Sequence, residues 1–243
     1  MANDIVTSPH FLTARMNALD NQVEDNNPND AIPRLANNFF WIISGGAGSG
    51  KTTMLLNLMR ISHKNGGLGR YYKKIYIISP THRLDDKLED LVDELGEEQC
   101  FNELSDETVD TIMHDIQADP DFKKEHYLII MDDCLGMMPK ATGKSKAHTL
   151  LISRRHLHAT IICLVQSYIR VPNLWRRNAN LISFFGSANR GEIQSLIDDV
   201  NGDEDLMKKL IEDATNDKHG FLTIKLGLGK PLFYKKFDRY LVK

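Results

Sequence analysis

The residues with the clearest chemistry form one run, Gly45-Gly46-Ala47-Gly48-Ser49-Gly50-Lys51-Thr52. It follows the pattern G-x-x-x-x-G-K-[ST], entered from an apolar segment (FFWIIS) and left through a helical one (TTMLLNLMRIS). Glycines in such a loop let successive backbone N–H groups curl around phosphate oxygens, because no Cβ blocks a positive φ or a close approach. The helix that follows adds the positive end of its dipole. Lys51 is expected to reach the β- and γ-phosphates, and the Thr52 hydroxyl to ligate Mg²⁺. The nucleotide contacts are therefore placed on Gly45, Gly46, Ala47, Gly48, Ser49, Gly50, Lys51, Thr52 and Thr53, with ATP and Mg²⁺ as ligands.

A second acidic motif lies at His126–Asp133 (HYLIIMDD), an apolar strand ending in two carboxylates. Beside a phosphate loop, the first such carboxylate holds the metal and the next polarises water for attack on the γ-phosphate. Asp132 is assigned to Mg²⁺ and Asp133 to water. Glu is the usual residue at the second position, and Asp is one methylene shorter, so the strand end must adjust. Asp133-Cys134-Leu135-Gly136 also reads D-x-x-G, but no N-K-x-D follows, so the guanine reader of a GTPase is missing. The segment Ala159–Val165 ends at Gln166. If that strand lies between the loop strand and the Asp132 strand, the Gln166 amide points at the γ-phosphate and can sense it. Arg154 and Arg155 are the first candidates for an arginine donated to a neighbouring subunit's phosphate, with Arg176 or Arg177 in reserve. Each arginine also reads as a solvated or DNA-facing charge. His156 and His158 lack a third ligand at metal spacing and read as structural.

These residues need a scaffold. Apolar runs at 39–44, 74–79, 127–132, 159–165 and 181–185 are rich in Ile, Val, Tyr and Phe on both faces, as buried parallel strands are. They alternate with helical patterns at 51–63, 84–95, 105–118, 146–157 and 190–200. The expected fold is α/β, a P-loop NTPase of the ASCE/RecA-like kind with a mainly parallel sheet flanked by helices. The tail predicts a helix at 203–214 and a hairpin of 220–226 with 231–237. The polar, Asn-rich residues 1–36 read as an arm with one short helix near 10–19 and then a linker, leaving 37–243 as the ATPase domain, with its core at 37–200.

Composition narrows the classes. The chain has 243 residues, 42% hydrophobic and 26% charged, with net charge −3. That balance suits a packed core and disfavours wholesale disorder. No apolar run approaches the roughly 18–20 residues of a membrane span, and no secretory signal is visible, so no membrane association and no secretion are expected. Cys100, Cys134 and Cys163 are scattered, which argues against zinc and a disulfide framework; Cys134 and Cys163 read as buried thiols. The modest net charge hides an asymmetry. Residues 83–125 hold 16 Asp/Glu against 4 Lys/Arg, whereas 134–190 hold nine Lys/Arg and no acid. The acid-free stretch suits a surface facing phosphates. The acidic block is expected away from it, at an outer rim.

The four segments FFWIISGGAGSGKTTMLLNL, KKIYIISPTHRLDD, YLIIMDDCLG and SRRHLHATIICLVQSYIRVPNLWRRNANLISFF together resemble the viral genome-packaging ATPases of the poxvirus and virophage type. These belong to the FtsK–HerA division of ring-forming P-loop ATPases, and the resemblance runs from about Phe39 to about Val200. It implies an ATP-driven translocase that moves double-stranded DNA into a preformed viral capsid. It further implies a homo-oligomeric ring, pentameric or hexameric, that meets the capsid or its portal vertex and works in the host cytoplasm, in the virus factory, and in the virion. In such a ring the loop Gly136–Lys146 is the candidate DNA grip, through Lys140, Lys144 and Lys146; it reads equally as a solvated basic loop. Rival readings are a strand-separating or recombination ATPase on the same core, which needs an aromatic stacking platform, and a nucleoside or nucleotide kinase.

Overall fold

A computed structural model of the chain describes residues 5–7, 37–61, 67–81, 86–139, 145–227 and 229–242. The predicted helix near 10–19, the Asn-rich linker, Lys140 and Lys144 lie outside the described residues. The strands are β1 (Ile5–Thr7), β2 (Phe40–Ser44), β3 (Lys74–Ile78), β4 (Cys100–Phe101), β5 (Tyr127–Asp132), β6 (Ala159–Val165), β7 (Leu181–Phe184), β8 (Leu222–Lys225), β9 (Leu232–Lys235) and β10 (Asp238–Val242). The α-helices are α1 (Lys51–Arg60), α2 (Asp86–Leu95), α3 (Asp106–Ala118), α4 (Lys146–Ser153), α5 (Asn173–Asn178), α6 (Arg190–Val200) and α7 (Glu204–Thr215).

All ten strands join one sheet in the order β1-β10-β9-β8-β7-β2-β6-β5-β3-β4. From β7 to β4 every pairing is parallel. From β7 to β1 every pairing is antiparallel. The all-apolar strands follow from two-sided cover. Phe40, Ile42, Ile129 and Ile161 pack with α3, α4, α6 and α7 residues such as Ile112, Leu150, Leu196 and Leu210. The alternate residues Trp41, Ile43, Ile130 and Ile162 pack on the opposite face with Leu55 and Leu58 of α1. Strand periodicity thus assigns each residue to one of two cores.

The ASCE/RecA-like fold is present, and its five anticipated parallel strands stand within a residue or so of their expected limits. Strand β6 does lie between β2 and β5, the condition set for Gln166. The tail hairpin forms as β8 and β9, but it does not end there: β10 and then Ile5–Thr7 extend the same antiparallel run. The charged pair Asp238-Arg239 hides β10 from an apolar pattern. Helix α5 was not anticipated, because six residues behind Pro172 are too few to show a period.

The acidic block builds α2, β4 and α3, and β4 is the end strand of the sheet. It does not stand apart from the basic stretch, however. Helix α3 packs against α4, and the Lys146 ammonium lies 3.1 Å from Asp110, while its N–H donates to Asp106. The Lys146 side chain is exposed and shares its charge with Asp110.

Candidate nucleotide site

Helices α3, α4, α6 and α7 each begin at a side-chain cap: Ser105, Ser145, Asn189 and Asp203 accept backbone N–H bonds. These caps occupy donors that a helix start otherwise leaves open. Helix α1 begins differently. Its cap is Gly50, which has no side chain to accept anything. No cap side chain covers the start of α1, and the chain ahead of it is shaped for an anion. Gly48 and Gly50 sit at φ +72° and +105°, where a Cβ would be strained. A Cβ on Gly45 would lie 2.6 Å from Cβ of Phe185 and 2.8 Å from Oγ of Ser49. Lys51 is 9% exposed, and its ammonium donates to the Gly45 and Gly46 carbonyls at 2.6 and 3.0 Å. The amine thus lies across the mouth of the loop.

Three neighbouring strand ends meet at this edge of the sheet. The Gly45 N–H donates to Val165 O at 3.1 Å, and the Asp133 N–H to Leu164 O at 3.3 Å. The loop, the Asp132–Asp133 pair and Gln166 are thereby tied to consecutive strands β2, β5 and β6, with β6 in the middle. Asp132 is half-buried at the end of β5, and Asp133 is exposed. Asp133 adopts φ +56°, ψ +26°, a left-handed conformation. Asp tolerates it far better than most side chains, because its short carboxylate can bond locally. The shortened acidic residue and the turn after β5 therefore belong together.

Gln166 was expected to point at the γ-phosphate; in the structure its amide Nε2 donates to both carboxylate oxygens of Asp133, at 2.8 and 2.9 Å. The loop after it is held from α6. The Glu192 side chain, 7% exposed, accepts from the Ser167 hydroxyl and, at 3.0 Å, from the Ile169 N–H. Nothing in the sequence singled out Glu192; it reads as one more acid in a helix's first turn.

The arginines separate into two kinds. Arg154 is 4% exposed, and its guanidinium donates to Leu151 O, Asn178 O and Asn180 Oδ1. Burial, and then the neighbouring Arg155, holds it down to about 10. It also precedes β6, at the edge of the sheet opposite the phosphate loop. A guanidinium enclosed by its own chain has no face for a neighbouring subunit, so the expectation for Arg154 is corrected: it is a structural arginine. Arg155 is exposed. Arg176 is committed to Asp199 at 2.8 Å and lies over the Tyr168 ring, whereas Arg177 is exposed.

Of the aromatics in the acid-free stretch, Tyr168, Trp175 and Phe184 are buried, and Phe185 stacks on Phe221 at 4.6 Å. They form core contacts, not a platform for bases. The cysteines are free thiols, with Cys134 and Cys163 buried; burial pushes Cys134 up to about 12. No group of three or more His, Cys, Asp or Glu that could hold a metal occurs among the described residues. Among the described residues no helix is long and apolar enough to cross a membrane.

A family model described as Poxvirus A32 protein matches residues 32–216. The chain is 31% identical over 158 residues to the DNA packaging protein OPG160 of Monkeypox virus, covering 62% of this chain and 48% of that protein. It has the same identity to OPG160 of Variola virus, covering 53% of that protein. The chain thus spans about half the length of the curated relatives it matches. Among solved structures, the genome packaging NTPase B204 from Sulfolobus turreted icosahedral virus 2, in complex with AMPPCP, aligns with TM-score 0.59 and 14% identity. That alignment covers 82% of this chain and 98% of B204. The same TM-score is found with B204, the DNA-packaging ATPase from Sulfolobus turreted icosahedral virus, at 13% identity. At such identities the likeness shows the fold.

Proposed function

This chain belongs to the poxvirus A32 protein family, and from that premise we propose that it is an ATPase that drives double-stranded DNA into a viral capsid. The observation that carries the proposal is the junction of three strand ends, which brings an uncapped helix start, Lys51, Asp132–Asp133 and Gln166 to one edge. ATP is bound in the loop Gly45–Thr53, through backbone N–H groups other than that of Gly45, which Val165 O holds, with Lys51 leaving the loop carbonyls for the β- and γ-phosphates. Thr52 and Asp132 offer the hard oxygen donors that Mg²⁺ prefers, and the ion, when bound, neutralises charge on the phosphate oxygens. Asp133 orients the attacking water. Gln166 is the sensor: its amide can exchange the Asp133 carboxylate for a phosphate oxygen, which couples the state of the nucleotide to the loop that Glu192 anchors.

The relatives' own tasks, DNA packaging for OPG160 and genome packaging for B204, support this reading. The buried aromatics favour translocation over strand separation, because no stacking surface is offered by Tyr168, Trp175, Phe184 or Phe185. The finger acts in trans between neighbouring copies of a ring of five or six, and with Arg154 enclosed it falls to Arg155, with Arg177 in reserve. The capsid or its portal vertex is the partner, reached in the host cytoplasm. The test is hydrolysis of Mg-ATP with and without double-stranded DNA, alone and with empty capsids, together with mass measurement in each condition. Stimulation by DNA and a ring are expected. Hydrolysis indifferent to DNA in every condition would sink the translocase, and a monomer throughout would sink the finger in trans.

A further inference from the structure

The segment between α7 and β8 has no part in the site described above, yet it touches the phosphate loop. His219 Nδ1 lies 2.9 Å from the Ser49 carbonyl oxygen. Because that oxygen can only accept, Nδ1 carries the proton and donates. The ring also covers Gly50: a Cβ there would meet Nδ1 at 3.3 Å. His219 is held in place from both sides. It sits at φ +60°. Gly220 behind it donates to Asp217 O at 2.8 Å, and a Cβ on Gly220 would strike Ala214 O at 2.4 Å. Phe221 then stacks on Phe185, whose Cβ crowds Gly45. The turn is thus built against both ends of the phosphate loop.

The contact matters because of peptide geometry. In a planar trans peptide the C=O and the following N–H point in opposite directions. Fixing the Ser49 carbonyl toward His219 therefore fixes the Gly50 N–H away from it, toward the inside of the loop. The Ser49–Gly50 peptide needs such a restraint, since Gly50 is free to adopt either sign of φ. We propose that His219 is a positioning residue for nucleotide binding: by donating to Ser49 O it presets the Gly50 N–H for a phosphate oxygen. The proposal rests on the reading of residues 45–53 as the nucleotide site. It also makes the tail a part of that site.

The experiment is titration of the full chain with a fluorescent mant-ADP probe, for wild type and His219→Ala, His219→Gly and His219→Asn, with thermal unfolding of each. Asn places an amide nitrogen where Nδ1 stands and tolerates the left-handed backbone. Gly relieves that backbone but supplies no donor. His219→Gly and His219→Ala should bind about three- to tenfold more weakly, the loss of one neutral hydrogen bond. His219→Asn should return to within about twofold of wild type. Unfolding separates this from a structural role: His219→Gly should bind poorly even where it unfolds no earlier than wild type. Equal affinity of the Gly and Asn variants, or affinity that follows unfolding temperature alone, overturns the proposal. Lys51→Ala is the control on the premise, since a wild type that binds no probe, or binds it regardless of Lys51, defeats the site and not His219.

Discussion

The two ends of the parallel strands use the same kinds of side chain for different ends. Where β2, β5 and β6 finish, the polar groups are Lys51, Asp132, Asp133 and Gln166, and the backbone is held in unusual conformations at Gly48, Gly50 and Asp133. Where the same strands begin, the polar groups are Asn180, Arg154, Lys73 and Asp119. Asn180 Oδ1 accepts from Phe40 N–H and from Arg154, and Lys73 meets Asp119 at 2.7 Å. The finishing edge holds charge ready for a ligand. The starting edge consumes the charge of Arg154, Lys73 and Asp119 internally, tying helices to strands, with the exposed Arg155 as its exception. The amino-acid types do not distinguish the edges; strand direction does, because parallel strands gather their exit loops on one side.

The largest effects should come from removing charge at the finishing edge. Lys51→Ala and Asp133→Asn should each lower Mg-ATP hydrolysis about 10²–10³-fold, the scale of losing one preorganised electrostatic group. The urea midpoint of unfolding should hardly move. A loss of hydrolysis matched by a loss of folding would erase the distinction between the edges.

Arg154→Ala tests the other edge and should show the opposite pattern. It strips donors from two carbonyls and an amide oxygen in a buried place, so unfolding should cost about 2–4 kcal/mol less, read from urea titration. Hydrolysis per folded molecule should stay within about twofold. Arg155→Ala, at an exposed site, should change stability by less than about 0.5 kcal/mol and should act only on hydrolysis by the assembled ring. If Arg154→Ala left stability intact and removed ring hydrolysis, the finger would return to Arg154.

A smaller effect should follow from Glu192→Gln, a change within α6. Half of the acceptor capacity that holds Ser167 and Ile169 remains, but its charge is gone. We expect kcat to fall about tenfold, as for one hydrogen bond to a charged group, with KM for ATP unchanged. A rise in KM with kcat intact would mean that the loop after β6 serves binding and not the sensing step.

Much of this arrangement was legible in the residues and some was not. The strands were visible because two-sided burial removes polar residues from whole runs, as in ATIICLV. The phosphate loop was visible because its backbone needs glycine at fixed offsets. Gln166 and Asp133 were each identified, but not their mutual bond, which depends on β5 and β6 being neighbours. Arg154 and Arg155 are indistinguishable as letters; only the helix phase at the end of α4 turns one inward and the other out. His219 carries no signal at all, since it follows a polar turn and sits 170 residues from its partner Ser49.

The mildest test concerns acid, and it belongs to the starting edge. The Lys73 ammonium first, and then the Asp121 N–H, hold Asp119 down to about 2, from an ordinary 3.8. The sign follows from proton binding. Between those two values the unfolded chain takes up the proton while the folded chain does not, so stability falls as pH falls. The contribution is complete above about pH 4 and is gone once pH drops through 2. Asp119→Asn should therefore be less stable than wild type at neutral pH. The gap should close as urea midpoints are followed down to pH 2. Lys51→Ala should leave that acid profile unchanged, because the lysine of the finishing edge has no part in it. A gap between wild type and Asp119→Asn that persists at pH 2 would mean that Asp119 stabilises the edge by shape and backbone bonding, and that its charge is incidental.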